Sequence, residues 1–421
     1  MAAQNPAEAA PIKRWTKRGT NLPRVADYNQ MLVLDLIRRS AGISRGELVG
    51  RTGLTAQTMS NIFRRLGDEG MIRETGRVRG GSGSRRAVFE VVPSARYTVG
   101  LHIDPARLTV VMQDLAGAVV GDAVSPAPRT PDPASVLDLV ETTIRSLLED
   151  TSVPVELIAG IGVASPGPVD AAHGTVIDAP ILPGWDVVEL KKELELRFAI
   201  PVAVEKDNIA AVAGEVWKSS GEDENLAFIY LGSGVSAGLV LDGNIVRGAG
   251  INVGDIGHMS GDPNGPICQC GGRGCITATA LPAVLVGEAT GRGVLPVVDL
   301  GDAGAVENAL TELCRLADEH SDSPAAEIID RTARSFGRVC AQLANLLDLD
   351  TIVLGGPQWT ALRPSFLRII PSLVNRNYLG RTSHVVQVRG TSIGEHAGAV
   401  GAASLVMWET MFDPPKQLYI T

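Results

Sequence analysis

Four residues in one stretch have the types and spacing of a metal site. His258, Cys268, Cys270 and Cys275 follow the pattern H-x9-C-x-C-x4-C within HMSGDPNGPICQCGGRGC. One imidazole and three thiolates suit a tetrahedral Zn²⁺ ion. The spacing would knit a local glycine-rich loop rather than a finger, and the ion would be structural. The competing reading is three free thiols beside a surface histidine. Five cysteines in 421 residues are too few for a disulfide scaffold. Cys314 and Cys340 lie in apolar helical patterns and read as core.

A second constellation is basic. In AQTMSNIFRRL, Met59, Ile62, Phe63 and Leu66 fall on one helical face. That leaves Gln57, Thr58, Asn61, Arg64 and Arg65 outward. Gln and Asn can pair bidentately with adenine edges, and Arg with guanine or phosphate. Downstream, GRVRGGSGSRR sets Arg77, Arg79, Arg85 and Arg86 among glycines that let a backbone approach DNA closely. Gln57, Thr58 and Asn61 are the expected base readers. Arg64, Arg65, Arg79, Arg85 and Arg86 are the expected phosphate or minor-groove contacts. The competing reading is a solvated amphipathic helix and a mobile loop.

The elements around these residues follow from pattern. Met31, Leu34 and Ile37 have helical spacing over 25–40, and Gly42 stops the run. Ser44 and Glu47 form an S-x-x-E capping box that starts a second helix. Residues 51–54 make a turn containing Gly53, and Thr55 caps the third helix, which ends at Gly70. Residues 71–75 and 87–92 read as strands. This order is that of a winged helix-turn-helix.

Charge separates this head from the rest. Residues 1–92 carry 16 Lys/Arg and 8 Asp/Glu, a net of +8, whereas the whole chain is −9. The remainder is therefore −17, and the average conceals a basic head on an acidic body. Residues 1–22 read as a flexible basic arm and 23–92 as the DNA-binding domain. No run approaches 18 apolar residues and the amino terminus lacks a signal-peptide core, so the expected location is the cytoplasm, away from membranes.

From Pro93 strands alternate with helices, an α/β pattern. YTVGLHI, LTVVMQD and AVVGD form three strands joined by tight turns. LAFIYLG, VSAGLVL and NIVRG repeat the layout about 130 residues later, the last pair joined at Asp242-Gly243. Two such units imply two lobes with a cleft between them.

This body resembles the ROK family of repressors, open reading frames and sugar kinases. The resemblance rests on IGVASPGPVD (161–170), DAPILPGW (178–185), EKDN (205–208), LGSGVSAG (231–238), GDIGHM (254–259), CQCGGRGC (268–275), VLGG (353–356) and GEHAGAVG (394–401). It implies a bilobal actin-like/hexokinase fold, with lobe 1 spanning 93–205 plus 395–412 and lobe 2, bearing the zinc site, spanning 206–394. With the winged head in front, the layout is that of the family's transcriptional repressors.

Two departures from the family pattern matter. Its kinases cradle ATP with a D-x-G-G-T turn, whereas this chain reads His102-Ile103-Asp104-Pro105-Ala106. Glycines let backbone N–H groups converge on a phosphate. Pro105 has no N–H, and Asp104 puts a negative charge where polyphosphate would sit. Phosphoryl transfer, which depends on positioning and charge stabilisation, is expected to be lost.

In the sugar pocket the family's base is a carboxylate after Asn, and the matching pair here is Lys206-Asp207. Asp207 is expected to be vestigial or ligand-binding. Ile181 stands where the family has Asn, Asp255 replaces a Glu, His258 remains, and Thr277 replaces a second Glu. Lys206 either neutralises Asp207 by pairing or welcomes an acidic or phosphorylated sugar.

The resemblance thus implies a regulator, most simply a repressor. It would bind a pseudo-palindromic double-stranded operator as a homodimer or homotetramer, with half-sites about 34 Å apart or a multiple. Its small-molecule effector would be a sugar or sugar derivative. Two alternatives remain: an ATP-dependent sugar kinase with a DNA-binding head, and a dimeric repressor without effector.

Overall fold

The computed structural model describes residues 22–79, 85–128, 132–219, 224–248 and 252–411. The expected basic arm, except for its last residue, Leu22, lies outside the described residues.

The head is built from α1 (Leu22–Arg38), β1 (Ile43–Ser44), α2 (Arg45–Thr52), α3 (Ala56–Asp68), β2 (Ile72–Arg79) and β3 (Arg85–Val91). The capping box is present. Ser44 Oγ accepts the Glu47 N–H at 3.4 Å, and Glu47 Oε2 accepts the Ser44 N–H at 2.9 Å. Gly53 ends α2 at φ 67°, where only a residue tolerant of the left-handed region is unstrained. Thr55 Oγ1 then caps α3 by accepting the Thr58 N–H at 3.1 Å. Met59, Ile62, Phe63 and Leu66 are buried beneath it, as the spacing predicts.

The wing differs from expectation in two ways. It has three strands, ordered β1-β3-β2, because Ile43 and Ser44 pair with Phe89 and Val88. Two residues are too few to show a period. The long strands also reach further into the basic stretch, with Arg77 opposite Ala87 and Arg79 opposite Arg85. A register shift between Glu74 and Gly76 absorbs an extra residue there. A solvated ribbon needs no apolar alternation, so the pattern ends before the pairing does.

The body repeats one topology. The first sheet runs β11-β7-β4-β5-β6 and the second β14-β13-β12-β15-β16. In the first, β4 (Tyr97–Ile103), β5 (Arg107–Asp114) and β6 (Val119–Pro126) form an antiparallel meander, and β7 (Ile158–Ser165) and β11 (Val202–Lys206) add parallel to it. The helices of this half are α4 (Pro133–Thr151) and α5 (Leu190–Phe198), while α6 (Asp207–Lys218), which follows β11, packs on the second sheet. Three short strands, β8 (Val169–Asp170), β9 (Thr175–Ile177) and β10 (Val187–Val188), form a separate small sheet.

In the second sheet β12 (Leu226–Leu231), β13 (Val235–Leu241) and β14 (Asn244–Ile245) repeat the meander, with β15 (Thr351–Gly355) and β16 (Gln387–Gly390) parallel beyond them. Helices α7 (Ile276–Thr279), α8 (Pro282–Gly291), α9 (Ala303–Glu319), α10 (Pro324–Leu347) and α11 (Trp359–Asn377) belong to this half. Their core holds Cys314 and Cys340 at 3% and 0% exposure, as expected.

After β16 the chain returns through α12 (Ala397–Met411), which packs on β4, β5 and β7 and against α6. The approach has no slack. A Cβ on Gly401 would lie 1.8 Å from the Ala210 carbonyl oxygen, so only glycine fits. A third core joins head to body. It places Val33, Ile37 and Leu66 of the head with Leu115, Trp217 and Met407 of the body.

Candidate metal centre, cleft and nucleic-acid interface

The four sequence-predicted ligands come together. One donor atom from each of His258, Cys268, Cys270 and Cys275 lies within 4.8 Å of every other. His258 Nδ1 is 3.5 Å from Cys268 Sγ, and the Cys270 and Cys275 sulfurs are 3.7 Å apart. A tetrahedron with metal–sulfur bonds of about 2.3 Å and metal–nitrogen bonds of about 2.0–2.1 Å has edges of roughly 3.6–3.8 Å. The donor set therefore fits a metal ion. The loop is held open for it by backbone pairing: Gly274 N donates to Pro266 O and Ile276 N to Met259 O, at 2.8 and 3.1 Å. Gly274, at φ 64°, passes so near Asp262 that a Cβ would lie 1.5 Å from its carbonyl oxygen. The Gly272 N–H points to Cys270 Sγ at 3.4 Å, an outer hydrogen bond of the kind that steadies a ligating thiolate.

From His258 the chain leads directly to the cleft. Thr277 Oγ1 donates to the carbonyl of Gly257 at 2.8 Å, and the Gly257 N–H donates to Asp255 Oδ1 at 3.1 Å. Asn252 Nδ2 donates to the other Asp255 oxygen at 3.4 Å. Lys206 Nζ donates to Asn252 Oδ1 at 3.0 Å and to the Val253 carbonyl at 3.2 Å.

The expected direct pairing of Lys206 with Asp207 is not what forms: the ammonium is taken up by the 252–253 segment. Lys206 is the last residue of β11 and Asp207 the first of α6, and each finds its hydrogen-bond partners in a different segment. Burial lowers the Lys206 pKa, with the nearby Asp207 and Asp255 charges opposing. Asn252 was not foreseen, since a lone Asn in a glycine-rich loop has no signature of its own.

Asp207 accepts the Asn208 N–H at 2.7 Å. Desolvation between the lobes raises its pKa from 3.8 to about 7, against the pull of Lys206 and that N–H. Ile181 reaches toward the turn at Gly232–Gly234, its Cδ1 4.0 Å from where a Gly234 Cβ would stand. Lys206, Asp255 and Thr277 are thus joined through the 252–258 segment that ends at His258, with Asp207 beside Lys206 in sequence. Ile181 faces the adjacent turn.

The turn after β4 and the turn after β12 are stitched to each other. Asp104 Oδ1 accepts Ser233 Oγ–H at 3.1 Å and the Ala106 N–H at 2.9 Å. Arg107 ion-pairs with Glu307 on α9 at 2.7 Å and donates to the Pro357 carbonyl at 2.9 Å. His102 meets the Tyr230 hydroxyl at 2.8 Å. Burial drops the His102 pKa to about 4, so it is neutral there. The partners Ser233, Glu307 and Tyr230 come from the second half of the body, more than 120 residues away in sequence. Spacing carries no sign of them.

On the head, Gln57, Asn61, Arg64 and Arg65 are exposed on α3 and Thr58 is half-exposed. Arg64 Nη2 donates to Asn61 Oδ1 at 3.1 Å, which presents them together. Arg65 is already engaged, by Asp27 and Glu69, both at 3.2 Å. Arg86 is exposed on β3. The backbones of Arg79 and Arg85 form the last described rung of the hairpin, and their side chains lie outside the described residues.

A model of winged helix-turn-helix DNA-binding domains matches residues 27–73. A model of the ROK family matches residues 99–409, well over half of the chain. The chain belongs to the ROK family. Among ROK relatives, a putative xylose repressor of Caldicellulosiruptor sp. (strain Rt8B.4) is 25% identical over 400 residues, spanning 93% of this chain and 98% of its own. A glucokinase of Halalkalibacterium halodurans is 28% identical over 329 residues, covering 74% of this chain and 96% of its own. The fold is that of a ROK family transcriptional regulator solved as a homologue of the Escherichia coli MLC protein. That structure matches with a TM-score of 0.73 at 22% identity, over 93% of this chain and 98% of the other. The repressor and the solved regulator thus each span 93% of this chain and the glucokinase 74%. Among the described residues no helix is long and apolar enough to cross a membrane.

Proposed function

We propose that the chain is a sugar-responsive transcriptional repressor acting in the cytoplasm. Its winged head binds an operator, and its ROK body senses a sugar without phosphorylating it. What supports this reading is the join of a winged head to a ROK body in which Asp104, in the turn after β4, accepts the Ser233 hydroxyl and the Ala106 N–H. Gln57, Thr58 and Asn61 read base edges. Arg64 and Arg86 contact phosphate, joined by Arg79 and Arg85 at the wing and Arg65 where its ion pairs yield. The molecule acts as a homodimer or homotetramer, as two half-sites require.

His258, Cys268, Cys270 and Cys275 hold Zn²⁺, which supplies a fixed cross-link and no reactive step. That cross-link steadies the 252–258 segment, from which Asn252 and Val253 hold Lys206. The effector lies against Lys206, Asp207, Asp255, His258 and Thr277, with Ile181 above it. A buried ammonium beside a carboxylate favours a sugar with an acidic or phosphorylated substituent. The domain limits that support this are 23–92 for the head, 93–205 plus 395–412 for the first lobe, and 206–394 for the second.

Phosphoryl transfer is absent in this reading because the Asp104 carboxylate repels polyphosphate and Pro105 offers no N–H to it. A panel of neutral, amino, acidic and phosphorylated sugars, titrated by calorimetry and run in parallel for ADP release, tests the reading. Binding without ADP release is the expected result. ADP release with any sugar makes it a kinase with a DNA-binding head, and silence throughout makes it an effector-independent repressor.

A further inference from the structure

Helix α6 runs from the cleft to the head. Asp207 and Asn208 begin it in the cleft, and Trp217 lies in its last turn. Twelve residues at about 1.5 Å each separate the two ends by ~18 Å.

At the far end the head is fastened to it. Arg38, the last residue of α1, lays its guanidinium 3.8 Å from the Trp217 ring centroid and donates Nη2 to the Trp217 carbonyl at 2.8 Å. Arg39 Nη1 donates to the Ser219 carbonyl, also at 2.8 Å. Asp35 holds both arginines, each at 2.8 Å. The capped carbonyls are the ones the end of α6 leaves without partners in the helix, and two cations sit on its negative pole. Trp408 of α12 braces the indole edge-on at 4.8 Å. The joint is dry: Trp217 is 5% exposed and the Arg38 side chain 7%.

Between its ends α6 cannot bend away from its neighbour. Gly401 of α12 lies against the Ala210 carbonyl, and a Cβ on Gly214 would come within 2.9 Å of Gly401 Cα. Close-packed elements of this kind shift as units.

We propose that α6 carries the state of the cleft to the DNA-binding head, with the Arg38–Trp217 stack as its output joint. Calling that state effector occupancy rests on the sensing role proposed above; the mechanical link does not.

A double-mutant cycle on the full chain, without sugar or DNA, tests the link. Asp207→Ala alters the cleft end, Arg38→Gln opens the joint, and amide hydrogen exchange over 22–38 is the readout. Asp207→Ala is expected to change that exchange at least about fivefold in the native background and less than twofold beside Arg38→Gln. Trp217→Phe, which keeps a ring to stack on, should preserve the response, and Trp217→Leu should abolish it. If Arg38→Gln unfolds the head, Arg38→Met, which keeps the aliphatic stem and removes the cation and its donors, completes the cycle under the same criterion. An equal change with and without the joint, or no change in the native background, overturns the proposal. Failure of the sensor reading would appear as silence in the sugar calorimetry and would leave this cycle untouched.

Discussion

The Asp104 carboxylate accepts the Ser233 hydroxyl at 3.1 Å, joining the turn after β4 to the turn after β12. These two turns come from the two repeated meanders, so the hydrogen bond ties one half of the body to the other. Hydrogen bonds to charged groups contribute about 1.5–3 kcal/mol. A cycle of Asp104→Ala and Ser233→Ala, followed by urea denaturation, should therefore show a coupling energy of about 1–3 kcal/mol. Magnesium-ATP should give no heat with the native chain. An additive cycle together with ATP binding would mean that the turn still serves nucleotide.

Metal analysis of the purified chain should find one zinc per chain, and Cys275→Ser should lose it. Because the loop pairs mostly with itself and with α10, losing the ion should expose 258–276 to protease while the head keeps its fold. Structural zinc contributes on the order of 10 kcal/mol to small metal-dependent folds, so the loop should not close without it. A Cys275→Ser protein that retains zinc and resists cleavage would remove Cys275 from the ligand set.

Much of this was legible in the sequence because the informative features are local. A capping box, the Asp242-Gly243 turn and four ligands within eighteen residues each carry their signal in a short window. What stayed hidden joins distant segments. Ser233 on Asp104, Glu307 on Arg107 and Arg38 on Trp217 are contacts made by topology, between residues that look ordinary in sequence. Lys206 shows the limit from the other side: adjacency to Asp207 suggests a pair, and the ammonium is instead hydrogen-bonded by Asn252 and Val253, which nothing in the local sequence marks.

Base reading and phosphate contact separate under salt. Asn61→Ala should cost about 1–3 kcal/mol at one or two operator positions and leave the salt slope unchanged. Arg86→Ala should weaken binding to every sequence and lower the slope of log affinity against log salt by about 1. Arg65→Ala should matter less than Arg64→Ala, because Asp27 and Glu69 already engage it. Fluorescence anisotropy with selected DNA at several salt concentrations measures all four. An unchanged slope for Arg86→Ala would take the wing out of the interface.

The cleft should set how stability varies with pH. Burial raises the Asp207 carboxyl from 3.8 to about 7 in the folded chain. Between these values the folded chain holds a proton that the unfolded chain has released. Its contribution is therefore full below about 4 and is lost as pH rises through about 7. His102 acts in the opposite sense, at about 4 when folded against 6.5. Its contribution is full above about 6.5 and is lost as pH falls through about 4. From pH 4 to 6.5 the two slopes oppose each other, and above that Asp207 acts alone. Asp207→Asn keeps an oxygen for the Asn208 N–H and removes the titration. Thermal midpoints of the variant should then rise relative to those of the native chain as pH goes from 4 to 7 and change little beyond. A difference between variant and native chain that stays flat from pH 4 to 8 would show that Asp207 is an ordinary solvated carboxylate.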